Sequence, residues 1–122
     1  MPRQVLDDAR IHPAVRDKVA NHHADIIHNV AAAASSNPVL VVGMRGNPFC
    51  RKVRKLLEGA GINHHYLEYG SYLSEWRRRN ALKMWSGWPT FPMVFVRGAL
   101  VGGFDDTARL VASGELKRLL GE

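Results

Sequence analysis

The spacing of apolar positions along the chain changes several times, and each change marks an element. Residues 1–12 show no regular pattern. From Pro13, the residues Val15, Val19, Ile26 and Val30 share one helical face, with proline in the first turn where a missing N–H costs nothing. The pattern predicts one helix running through Ala31–Ala34 and stopping at the breaker Ser35-Ser36-Asn37-Pro38. Val39-Leu40-Val41-Val42 is continuously apolar and mostly β-branched, as in a strand buried on both faces. A helix is expected from Pro48 to about Gly59, with Val53, Leu56 and Leu57 inward and Gly59 and Gly61 ending it. Next come a strand from His64 to Leu67 and a helix from Ser71 to Lys83. After the turn residues Ser86-Gly87-Trp88-Pro89, Met93–Val96 reads as a third strand. Arg97-Gly98 turns it tightly into Ala99-Leu100-Val101, which makes a hairpin. Beyond Gly102-Gly103, two short helices are expected near Asp105–Ser113 and Glu115–Leu120.

Helix, then β-α-β, α and β-β-α, is the order of an α/β thioredoxin-like sandwich, a four-stranded mixed sheet flanked by helices. Residues 1–37 read as an N-terminal helical extension and 38–122 as the domain proper. A chain of 122 residues can bury one modest core without staples. No apolar run approaches the roughly 18–20 residues of a membrane span, and no basic-then-apolar leader opens the chain. A cytoplasmic protein with no membrane partner is expected. Cys50 is the single cysteine, so no intramolecular disulfide can form and all thiol chemistry falls to it.

The net charge of +6 is unevenly placed. Residues 1–37 carry four basic and four acidic side chains, whereas 38–122 carry thirteen and seven. The excess gathers in Arg45/Arg51/Lys52/Arg54/Lys55 and in Arg77-Arg78-Arg79 with Lys83. Such clusters suit an anionic partner, either nucleic acid or a small carboxylate or phosphate, or else form a solvated helix face. They lack the interleaved aromatics of single-strand binders, although Trp76 and Trp85 are near, so nucleic acid is not the expected partner.

Three stretches could carry chemistry. In Asn47-Pro48-Phe49-Cys50, asparagine suits a helix N-cap and proline the first helical position. The Asn47 side chain could then accept from the N–H of Phe49 or Cys50. Cys50 would lie in the first turn, where the helix dipole with Arg45, Arg51 and Lys52 favours a thiolate; a buried, inert thiol is the competing reading. In Trp88-Pro89-Thr90-Phe91-Pro92, a cis Phe91-Pro92 bond would turn the Phe91 backbone toward an extended, peptide-like ligand; the competing reading is a proline that simply stiffens a strand start. In Gly102-Gly103-Phe104-Asp105-Asp106, exposed N–H groups could hold a carboxylate, and an aspartate could hold an ammonium group or cap the helix. Together they ask for a ligand with a carboxylate, an ammonium and a peptide backbone. His22, His23 and His28 lack the i, i+4 spacing of helical metal sites, and His64-His65 point to opposite strand faces, so no metal site is expected.

From about Pro38 to Leu120 the chain resembles the glutaredoxins, and RNALKMWSGWPTFPMVFVRGALVGGFDD is especially similar to their monothiol class. The resemblance implies a thioredoxin fold that binds glutathione in an extended groove. It assigns the glycine carboxylate of glutathione to Arg45 and Arg79, and the cysteinyl unit to Thr90, Phe91 and Pro92. The γ-glutamyl end falls to Gly103, Phe104 and Asp105, and Phe49 joins the glutathione-binding set. Family active sites read Cys-Pro-Tyr-Cys or Cys-Gly-Phe-Ser, whose first cysteine is both the nucleophile and the iron–sulfur ligand. Asn47 stands at that position here, and Cys50 matches the second cysteine or the serine. An iron–sulfur cluster is therefore not expected, and glutathione is the implied bound ligand or co-substrate. Two functions follow: a glutathione-dependent thiol–disulfide oxidoreductase with Cys50 catalytic, acting on glutathionylated proteins, or a catalytically inactive interaction or regulatory module. A basic nucleic-acid-binding module is the third reading.

Overall fold

The computed structural model describes residues 3–122. A short 3-10 turn at Asp8–Arg10 precedes helices α1 (Pro13–Asn21) and α2 (Ala24–Ser36). Strand β1 (Val39–Gly43), helix α3 (Pro48–Gly59) and strand β2 (His65–Glu68) follow. Helix α4 (Trp76–Ser86) leads to the hairpin β3 (Met93–Val96) and β4 (Ala99–Gly102), and α5 (Phe104–Ala112) and α6 (Glu115–Leu119) complete the described chain. The sheet order is β2-β1-β3-β4. β1 runs parallel to β2, with Leu40 opposite His65. It runs antiparallel to β3, with Leu40 opposite Phe95, and β4 returns antiparallel to β3.

All five residues of β1 are buried, because helices cover both faces of the sheet. Alternation along the strand divides the core in two. Leu40 and Val42 pack with Met93, Phe95 and Leu82 of α4. Val39 and Val41 face the other way, to Val94, Val96, Val53 and Leu57 of α3, and Leu116 of α6. This places the N-terminus of α3 and the segment before β3 at the same end of the sheet.

Two readings of the sequence need correction. The single helix expected from Pro13 is two helices, broken where His23 takes a left-handed backbone (φ 49°). α1 buries no side chain, and Val15 and Val19 are exposed, because two valines make too sparse a stripe to hold it on the core. α2, by contrast, sets Ile26, Val30 and Ala34 into the same cluster as Leu40 and Val42. The second correction concerns the helix expected from Ser71, which starts only at Trp76. The Ser71 N–H donates to Ser74 Oγ (3.1 Å), and Glu75 is left-handed (φ 56°). Here serine side chains draw the backbone into a turn before the helix can begin.

Gly43, the last residue of β1, allows a close approach of two side chains in the core. A Cβ there would lie 2.9 Å from both Cys50 Sγ and Tyr66 Oη. Gly43→Ala is expected to cost about 1–3 kcal/mol through overpacking. A urea midpoint equal to wild type would show that Cys50 and Tyr66 can make room.

Candidate functional site

The site is built at the start of α3. Asn47 Oδ1 accepts from the N–H groups of Phe49 (2.9 Å) and Cys50 (3.3 Å), as its cap position predicts. Its Nδ2 reaches 44 residues along the chain and donates to the Phe91 carbonyl (3.3 Å). The Phe91-Pro92 bond is cis. One asparagine thus starts the helix and ties it to the segment before β3.

Between these elements lies a groove of about 500 Å³. It brings together Phe49, Arg79, Thr90, Phe91, Pro92, Gly103, Phe104 and Asp105, with Asn47 among its walls. Arg45 and Cys50 do not line it. The Arg45 side chain is exposed, and the Arg45 backbone N–H donates to the Gly70 carbonyl (2.7 Å). Arg79 is buried, at 6% exposure, and its Nη1 donates to the carbonyls of Tyr69 (2.8 Å) and Ser74 (2.6 Å). That guanidinium therefore fastens the Tyr69–Ser74 segment to α4 as well as facing the groove.

At the opposite end, Asp106 Oδ2 accepts from the Gly103 N–H (3.2 Å), and Thr107 Oγ1 donates to the Gly103 carbonyl (2.8 Å). A Cβ on Gly102 (φ 117°) would lie 2.5 Å from Asp106 Oδ2, so this capping turn requires glycine. Asp106 is the cap, which leaves Asp105 exposed beside the groove.

The sequence reading assigned no ligand contact to Lys83, Tyr72 or Trp88, which also line the groove. Lys83 Nζ lies 5.8 Å from the Phe91 ring centroid. Its i+4 spacing from Arg79 on one helix was the signal that could have found it. Trp88 Nε1 is buried with no hydrogen-bond partner among the described residues, an uncommon state for an indole donor.

Of the two readings open for Cys50, the structure favours the buried thiol. Only 2% exposed, its sulfur packs beneath Gly43 and beside Tyr66. Burial pushes its thiol pKa up; the backbone N–H of Met44 opposes this, Glu68 adds to it, and Arg51 opposes it. Desolvation thus outweighs the Met44 N–H and the Arg51 charge. Iodoacetamide at pH 8 should alkylate Cys50 in the folded chain at least about tenfold more slowly than in the urea-unfolded chain. Equal rates would mean that the sulfur is accessible and ionised.

Among the described residues, no group of three His, Cys, Asp or Glu side chains stands close enough to hold a metal ion. Among the described residues, no helix is long and apolar enough to cross a membrane.

Residues 39–101 match the Glutaredoxin family model. The chain belongs to the glutaredoxin family. A glutaredoxin-like protein of Dictyostelium discoideum is 47% identical over 98 residues, spanning 80% of each chain. Monothiol glutaredoxin-S11 of Oryza sativa subsp. japonica is 38% identical over 99 residues, which cover 75% of this chain and 19% of that longer protein. Among solved structures, oxidised glutaredoxin 2 from Chlamydomonas reinhardtii superposes with a TM-score of 0.70 at 29% identity, over 81% of this chain and 94% of that one. The buckwheat glutaredoxin–glutathione complex gives 0.70 at 24% identity, over 83% and 92%, and shares the fold. The four-stranded mixed sheet with flanking helices is the glutaredoxin architecture.

Proposed function

We propose that this glutaredoxin binds glutathione in the groove and does so without a thiol nucleophile. The observation that carries the reading is the state of Asn47. At the position of the family's attacking cysteine stands a neutral amide whose oxygen and nitrogen are both bonded within the protein, while the groove beside it is open. The polar groups around that groove complement a γ-glutamyl tripeptide. Arg79 and Lys83 supply positive charge for one carboxylate. The Phe91 carbonyl keeps a second lone pair for a peptide N–H. The first-turn N–H groups of α5 suit the other carboxylate, and Asp105 suits the ammonium.

Catalysis by Cys50 lacks geometric support, because its sulfur is buried and outside the groove. The donor set does not fit an iron–sulfur cluster either, since position 47 is an amide and the sole thiol is enclosed. A binding or regulatory module in a reducing, cytoplasmic setting is the reading that remains. In a glutathionylated-peptide reduction assay, wild type and Cys50→Ser should run equally at background rate. A wild-type rate clearly above Cys50→Ser would restore the enzyme reading. Calorimetry at millimolar glutathione should show saturable binding by wild type, and a flat titration would sink the proposal.

A further inference from the structure

The polar anchors account for a tripeptide, yet much of the groove is apolar. Two of its aromatic rings are left uncovered, with Phe49 49% and Tyr72 65% exposed. Phe49 is held in place, its ring centroid 6.3 Å from that of Phe104 and 5.0 Å from Lys52 Nζ. Tyr72 stands on the Tyr69–Ser74 segment that Arg79 fastens. Exposed, positioned aromatic surface beside a ligand groove is a place for an apolar group. Glutathione has no such group of its own; its backbone and termini are polar.

If glutathione lies in the groove as proposed above, its sulfur comes nearest position 47. Asn47 cannot attack that sulfur and carries no charge to stabilise a leaving thiolate. No free thiol replaces it, because Cys50 is enclosed. The site is therefore chemically suited to a sulfur already capped by carbon, where no S–S bond awaits cleavage. We infer that the groove receives glutathione thioethers, S-substituted by an apolar alkyl or aryl group that rests on Phe49 and Tyr72. This inference rests on the glutathione reading and adds the ligand class to it.

The test is calorimetry on the full chain with three probes: glutathione, S-hexylglutathione and S-hexylcysteine. Burying a few methylenes of the hexyl chain should make S-hexylglutathione bind about tenfold more tightly than glutathione, or better. S-hexylcysteine, which has the chain but not the tripeptide, should bind at least about tenfold more weakly than S-hexylglutathione. Phe49→Ala and Tyr72→Ala should each move the S-hexylglutathione to glutathione affinity ratio toward parity. Glutathione binding with no gain from the hexyl group would overturn the inference and leave the glutathione reading standing. Equal binding of S-hexylcysteine, or an unchanged ratio in both variants, would place the chain elsewhere and overturn it as well. Failure of both glutathione and S-hexylglutathione to bind would remove the glutathione reading and this inference together.

Discussion

Asn47→Cys should raise the rate of glutathionylated-peptide reduction over wild type by about two orders of magnitude. The new thiol would sit at the N-terminus of α3, beside the groove, where the helix dipole favours its ionised form. Its thiolate would attack the glutathione sulfur of a mixed disulfide. The old S–S bond breaks, and the peptide leaves as a thiolate that takes a proton from solvent. A second glutathione thiolate then attacks the new mixed disulfide, releasing oxidised glutathione and restoring the cysteine. Cys50 lies beneath Gly43 and takes no part, so Asn47→Cys/Cys50→Ser should be as fast as the single variant. The change removes the cap hydrogen bonds and the link to Phe91, at a cost of about 1 kcal/mol. A folded variant with no gain in rate would show that position 47 does not meet the ligand's sulfur.

Arg79→Leu should weaken both the fold and the site. The substitution removes two charge-assisted hydrogen bonds and leaves the Tyr69 and Ser74 carbonyls without that donor. A loss of about 2–4 kcal/mol is expected, read from the urea midpoint. The released segment carries Tyr72 and forms a wall of the groove, so glutathione affinity should fall at least about tenfold, which is 1.4 kcal/mol. Arg79→Lys keeps the charge but lacks the planar fork, and should recover only part of either loss. An unchanged urea midpoint in Arg79→Leu would contradict the structural role given to this guanidinium.

What could be read from the sequence was what depends on near neighbours. α3 was legible at both ends because Asn47, Pro48 and the glycines at 59 and 61 act within a turn of themselves. The strands were legible because Val39–Val42 and Met93–Val96 are short apolar runs bounded by breakers. The break between α1 and α2 was not, since neither His22 nor His23 is a helix breaker, and the fault appears only when α2 alone finds a core. The fastening role of Arg79, and the choice between an activated and an enclosed Cys50, were hidden for a related reason. A run of three arginines looks like a solvated face until tertiary packing turns one of them inward. A first-turn cysteine looks activated until Gly43 and Tyr66 close over it. Asn47 was readable as a cap, while its bond to Phe91 spans 44 residues and belongs to the fold.

The central claim is that glutathione is held by this groove with no sulfur of the protein taking part. Calorimetric titration of glutathione into Cys50→Ser, a chain with no cysteine at all, addresses it most directly. Saturable binding with the wild-type dissociation constant is the predicted result. Loss of binding in this variant, with the wild type still binding, would contradict the account and return Cys50 to the centre of the site.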